Sequence, residues 1–193
     1  MYRTRLFLVA PLLFLLAASC AAQEPQPSPT PVEFQTRLES LMSKTGAVIV
    51  KGYTRVGSMS GSRGTAYFTV WEVTDAETGQ REQGIGIEIS ETATNRPDSE
   101  DRAYVDYDEL APLLKGIDYI MKLNDKVTKL SSYEAQYQTR GGLLLVTFNT
   151  ANGYAAAITT GGGRRPRFVL RPTGLAEFRN LLESAKDVLD AAR

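Results

Sequence analysis

The sequence predicts an α+β fold of two pseudo-duplicated ββββα halves that share a core, behind a short N-terminal helix. Three observations carry that expectation. Eight short runs of strand-forming residues are separated by turn-formers such as GSMSGSRG, RGG, ANG and GGGRRP. Two longer amphipathic stretches stand at corresponding places, each after a fourth strand. RAYVDYDELAPLLKGI also aligns without a gap over RFVLRPTGLAEFRNLL, with Asp108 over Thr173 and Leu110 over Leu175. A duplication explains the alignment. So does coincidence, because a strand leading into a capped helix is a common pair.

Taken in order, the elements begin with a helix from Val32 to Lys44, whose Phe34, Leu38, Leu41 and Met42 form one stripe. Strands follow at Ala47 to Val56, Thr65 to Thr74, Gly84 to Ser90 and Arg102 to Tyr107. The next helix spans Asp108 to Leu123, with Leu110, Leu113, Leu114, Ile117 and Ile120 or Met121 at helical spacing. Asp108 is the expected cap, and Pro112 falls near the first turn, where proline is tolerated. The second set of strands is Ser132 to Thr139, Leu143 to Asn149, Tyr154 to Thr160 and Arg167 to Leu170. A closing helix from Thr173 to Ala192, capped by Thr173, buries Leu175, Phe178, Leu182, Ala185 and Leu189. The halves are 45–130 and 131–193 of one domain, 32–193. One half of about 65 residues buries too little alone, so the two are expected to pack together.

The N-terminus has a different character. Arg3 and Arg5 precede the apolar run LFLVAPLLFLLAA, Leu6 to Ala18, which reads as a secretory signal over 1–19. The run is shorter than the roughly 20 residues a membrane-spanning helix needs. Cys20, the only cysteine, follows Ala17, Ala18 and Ser19. Small residues before a cysteine at the end of an apolar run resemble a bacterial lipoprotein signal. That resemblance implies that Cys20 becomes the first mature residue and carries lipid. Ala17 stands where such signals most often have leucine. Ordinary cleavage after Ala22 would instead discard Cys20. Under both readings no cysteine is left to pair in the domain. QEPQPSPTP, with proline at every second position, makes 20–31 an extended tether.

Charge is nearly balanced. Without Arg3 and Arg5 there are 20 basic and 22 acidic side chains, a net of −2. Such a chain has little long-range pull on nucleic acid or anionic lipid. The halves differ: 32–130 carries −4 and 131–193 carries +3.

RFVLRPTGLAEFRNLLESAKD, Arg167 to Asp187, resembles the end of a PUR repeat, through Gly174, Leu175, Phe178 and Arg179. The resemblance implies paired four-strand-plus-helix repeats and single-stranded nucleic acid held on the sheets. The first half departs from it, with Leu113 and Leu114 in place of the Phe-Arg pair. VIVKGYTRVG, YVDYDELAPLLKGIDYIMKL and YEAQYQTRGGLLLVTFN resemble a family of exported bacterial proteins to which no activity is attached. That likeness implies export and fold but no mechanism.

Histidine is absent, which excludes Ser-His-Asp triads, Cys-His dyads and His-containing zinc motifs. No Walker-type loop occurs, and GIGIEIS lacks the third glycine of a dinucleotide fingerprint. No catalytic residue, metal site or cofactor is therefore assigned, although carboxylate-only catalysis stays chemically open as a further alternative. DSEDRAYVDYDE could offer oxygens to calcium from Asp98, Glu100, Asp101, Asp106, Asp108 and Glu109, or be a solvated loop. Arg164, Arg165, Arg167 and Arg171 form a candidate anion or partner site beside three glycines. Equally, they could keep a hairpin edge soluble or pair with the acidic half. Tyr67 and Trp71 share one face of the second strand, and Gly84 and Gly86 leave a flat surface where a ring could lie. This is a candidate aromatic binding face, or a packing face.

The expected function is an exported, membrane-anchored binding or scaffolding domain of the bacterial cell envelope, with no enzymatic role and a protein or envelope polymer as partner. The alternative is a PUR-like module for single-stranded nucleic acid, against which export and the −2 charge both count. Intact mass and membrane partitioning test the anchor. Mature protein is expected to carry a lipid-sized mass increment and to stay with membranes, and Cys20→Ala to lose both.

Overall fold

A computed structural model describes residues 35–62, 64–91, 99–124, 126–150, 153–161, 167–170 and 173–193. The expected elements are there in the expected order: α1 (Arg37–Met42), β1 (Ile49–Ser60), β2 (Gly64–Asp75), β3 (Arg81–Glu91), β4 (Ser99–Asp106), α2 (Tyr107–Ile120), β5 (Glu134–Gln138), β6 (Leu144–Thr150), β7 (Gly153–Thr159), β8 (Arg167–Val169) and α3 (Gly174–Ala191). The strands form two four-stranded antiparallel sheets, ordered β1-β2-β3-β4 and β5-β6-β7-β8. The class is α+β.

One apolar core joins both sheets and both long helices. Phe68 of β2, Ile85 and Ile87 of β3, Leu145 of β6, Ile158 of β7 and Phe168 of β8 all belong to it. The helices supply the expected stripes. Leu110, Leu113, Ile117 and Ile120 are buried on α2, and Leu175, Phe178, Leu182, Ala185 and Leu189 on α3. The helices cross between sheets. Phe178 of α3 packs on Phe68 at 5.7 Å between ring centroids, and Leu181 of α3 sits where a Cβ on Gly57 of β1 would come within 2.7 Å. Gly116 of α2 lies against the Tyr137 ring of β5 so closely that a Cβ would be 2.5 Å away. Arg179 ties the two helices, its Nε donating to Asp118 at 2.5 Å.

Several boundaries move for physical reasons. β1 continues to Ser60, through residues expected to turn, because a bulge shifts its register between Arg55 and Gly57. The extra residue reverses the facing, so Met59 pairs with Ala66 on the core side and is buried. A strict period of two hides this continuation. β3 starts at Arg81 because Asp75 makes the turn by itself, its Oδ1 accepting from the N–H groups of Glu77 (2.9 Å) and Thr78 (3.2 Å), with Gly79 at φ 70°.

Helix starts also differ. Asp106, not Asp108, occupies the position before α2, and its carboxylate caps a different helix. Pro112 therefore falls in the second turn, inside the helix, where its missing N–H removes one helical hydrogen bond. Thr173 precedes α3 in helical geometry and its side chain makes no capping bond. The first helix is only six residues long and is capped at Thr36, with Glu39 returning the bond. Phe34, expected on its stripe, lies outside the described residues.

The Phe68–Phe178 contact gives a direct test. Phe178→Ala is expected to lower stability by about 3–5 kcal/mol, because the cavity opens between a sheet and a helix that cannot collapse together. Guanidinium unfolding followed by circular dichroism measures it.

Candidate functional site

The first sheet has two unlike faces. The inner face meets the core. The outer face is built from rows read across the strand register. One row is Tyr53, Trp71, Gly84 and Asp106; the next is Arg55, Thr69, Gly86 and Tyr104; the third is Ser58, Tyr67, Glu88 and Arg102. Alternation along β2, β3 and β4, and along β1 once its bulge is counted, puts these rows on one side.

Of the two glycines, Gly86 has rings lying against it, whereas at Gly84 the neighbouring atoms are backbone of Val105 and Asp106. A Cβ on Gly86 would come within 2.9 Å of Trp71 Nε1 and 3.2 Å of Tyr104 Cε1. Trp71 stacks at 4.9 Å, tilted by 34°, on Tyr53, which is 69% exposed, and meets Tyr104 edge-on at 6.4 Å. Its indole N–H is buried and has no hydrogen-bond partner among the described residues. Arg55 lies over the Tyr67 ring at 4.5 Å. Arg102 bridges Glu88 and donates to Tyr104 Oη at 3.2 Å. That bridge lowers the Glu88 carboxyl below its ordinary value. Burial works against the charged guanidinium of Arg102, but its bonds to Glu88 and Tyr104 outweigh this and raise it.

Helix α1 covers only one end of this face. Leu38 and Leu41 pack with Val73, and Trp71 and Tyr104 border that small cluster. Trp71 is therefore partly a packing residue, whereas Tyr67 lies away from the α1 cluster. Two buried carboxylates hold α1 in place. Asp106 accepts from the N–H groups of Arg37 (3.0 Å) and Leu38 (3.1 Å) and lies beside the guanidinium groups of Arg37 and Arg140. At the other end Lys44 bridges the buried carboxylate of Asp75.

The remaining candidates divide. Cys20, Arg164, Arg165 and Arg171 lie outside the described residues, and only the backbone of Arg167, at the start of β8, is described. In the acidic stretch Asp106 caps α1, Asp108 pairs with Arg37 and Arg140, both at 2.7 Å, and Glu109 pairs with Arg140 at 3.3 Å. Among the described residues no cluster of three or more acidic, cysteine or histidine side chains is placed to hold a metal. Phe178 and Arg179 serve the core and the α2 contact. A polar cleft of about 600 Å³ between α1, β3 and the start of α2 contains Arg37, Arg81 and Arg193. Arg37 and Arg81 face acidic partners there, and Arg193 lies over Tyr107 at 4.2 Å.

Tyr53, Arg55, Arg102 and Tyr104 join the face from expected strands; the pattern within one strand does not single them out, because only the cross-strand register makes them neighbours of Trp71 and Tyr67. Comparison with protein-family models, curated proteins and solved structures finds no match for this chain.

Asp75 makes the acid limb of stability testable. The bond from Lys44, together with the Thr78 and Glu77 amides, holds its carboxyl far below the ordinary 3.8, against the effect of burial. The lowered folded value means the stabilisation is present above about pH 4 and is lost as pH falls. Asp75→Asn is expected to be less stable than the parent at neutral pH and to converge with it in acid, as thermal melts between pH 7 and pH 2 would show.

Proposed function

We propose that this chain is an exported, lipid-anchored binding domain of the bacterial cell envelope with no catalytic role, and that the outer face of the first sheet meets its partner. The observation that carries this reading is the grouping of Tyr53, Tyr67, Trp71 and Tyr104 with Arg55 and Arg102 on a face that α1 covers only at one end. Tyrosine, tryptophan and arginine are the side chains that most often dominate binding energy. Trp71 is already stacked on Tyr53 and meets Tyr104 edge-on, and Arg102 is held by Glu88, so little rotamer freedom is lost on contact. The partner is a protein or an envelope polymer.

The chain is further read as a duplication of a ββββα unit. Two four-strand meanders each lead into a helix, and each helix reaches the sheet of the other half. That exchange explains why two units would persist together: separated, each would expose the sheet face its neighbour covers.

A second reading, a PUR-like module for single-stranded nucleic acid, draws on the Arg55–Tyr67 stack, since aromatic faces beside cations suit bases. The engagement of Arg102 by Glu88 weakens it.

Trp71 is the only tryptophan, so its emission reports on this face. Soluble peptidoglycan fragments and envelope protein extracts are expected to change it saturably. Tyr53→Ala or Arg55→Ala, both at exposed positions, should weaken the effect by roughly tenfold, about 1.4 kcal/mol. A salt-dependent response to oligodeoxythymidine would favour the second reading. No response to any of them would overturn the assignment of this face.

A further inference from the structure

A second surface lies on the other sheet. Among the described residues, strand β5 is an edge strand paired only with β6. The Asn149 N–H donates to the Tyr133 carbonyl at 3.4 Å, and the Thr139 N–H to the Leu143 carbonyl at 2.9 Å. These two bonds set the phase of the ladder. Residues 133, 135, 137 and 139 turn their backbone groups towards β6, so Glu134, Gln136 and Gln138 turn theirs to the free edge. Among the described residues nothing pairs with them there.

The free edge is one wall of a groove of about 520 Å³. Its other wall is α2, through Pro112, Lys115, Gly116, Tyr119 and Ile120. From β5 it is lined by Ala135, Gln136 and Tyr137. These three residues are consecutive, and their side chains alternate between the two faces. What all three share towards one groove is the strand's edge. The floor is apolar because Gly116 lets the Tyr137 ring lie against the helix, and Tyr119, 67% exposed, stands beside it. Lys115 is the one charged side chain among the residues lining the groove.

We propose that this groove binds an extended peptide as a fifth strand of the second sheet. The peptide's main chain would bond to Gln136 and its outward neighbours, an apolar side chain would enter between Tyr119 and Tyr137, and a carboxylate would meet Lys115. Backbone groups that recur every second residue, about 6.8 Å apart, match the repeat of another strand. Apolar floor and backbone wall together select an extended peptide over a helix, which has no free main-chain groups to offer. This surface is separate from the outer face of the first sheet.

The test is an amide chemical-shift titration of the processed chain with a capped seven-residue peptide. Its sequence alternates Val, Phe and Val on one face with Ser and Asp on the other. Saturable shifts are expected at the Glu134, Gln136 and Gln138 amides, with Trp71 emission unchanged. Two versions of the peptide, N-methylated on opposite alternate residues, are expected to differ: one loses binding and the other keeps it, because only one edge of a bound strand faces β5. Gln136→Pro removes an outward N–H without touching the β6 ladder and should weaken binding at least tenfold. Tyr119→Ala, at an exposed position, should weaken it by its own route and guards against a misfolded proline variant. Equal loss with both N-methylated peptides would overturn the proposal. So would shifts confined to other residues, or none at millimolar peptide. A dimer without peptide that Gln136→Pro dissolves would assign the groove to a second copy, and the proposal would likewise fall.

Discussion

The closing of the first sheet by the last helix of the chain is the constraint on which the rest depends. Phe178 under Phe68 and Leu181 against Gly57 bring α3 across a sheet finished about seventy residues earlier in the sequence. A four-stranded sheet must bury one face; α2, the helix nearest in sequence, meets β3 and β4 and also reaches β5 through Gly116 and Tyr137, while α3 takes β1 and β2. Sheets and helices are thus locked by contacts between the halves. Such contacts span long stretches of chain, so loop closure comes before they stabilise anything.

With the inner face of the first sheet committed to the common core, its outer face carries α1. The short helix α1 takes one end of it. Six residues bury little area, so polar contacts hold the helix where apolar ones would not suffice. Asp106 meets its first amides and Lys44 reaches Asp75. Both acids come from the sheet itself. Asp106 also draws in Arg140 from the turn after β5, so the same carboxylate links both sheets. A buried carboxylate is tolerable there because amides and guanidinium groups surround it.

The two candidate surfaces differ in how they would recognise a partner. The face around Trp71 offers rings and cations, already stacked and paired. The groove beside β5 offers backbone groups and an apolar floor. Asp106 and Asp108 of the acidic stretch are engaged elsewhere, Asp106 in capping α1 and Asp108 in pairing with Arg37 and Arg140.

Local sequence pattern by itself determined the order and kind of the described elements, the buried stripes of α2 and α3, and the place for a ring at Gly86. Those depend on periodicity and turn chemistry, which act over a few residues. It misjudged the end of β1, because one bulged residue reverses the facing of all that follow, and the role of Asp106, whose partners are in sequence about seventy residues away. Only the tertiary structure decided which sheet each helix covers, that Tyr53 and Tyr104 flank Trp71, and that the edge of β5 faces a helix across an open groove. Register and crossover are set by contacts between distant segments, and no spacing within one segment encodes them.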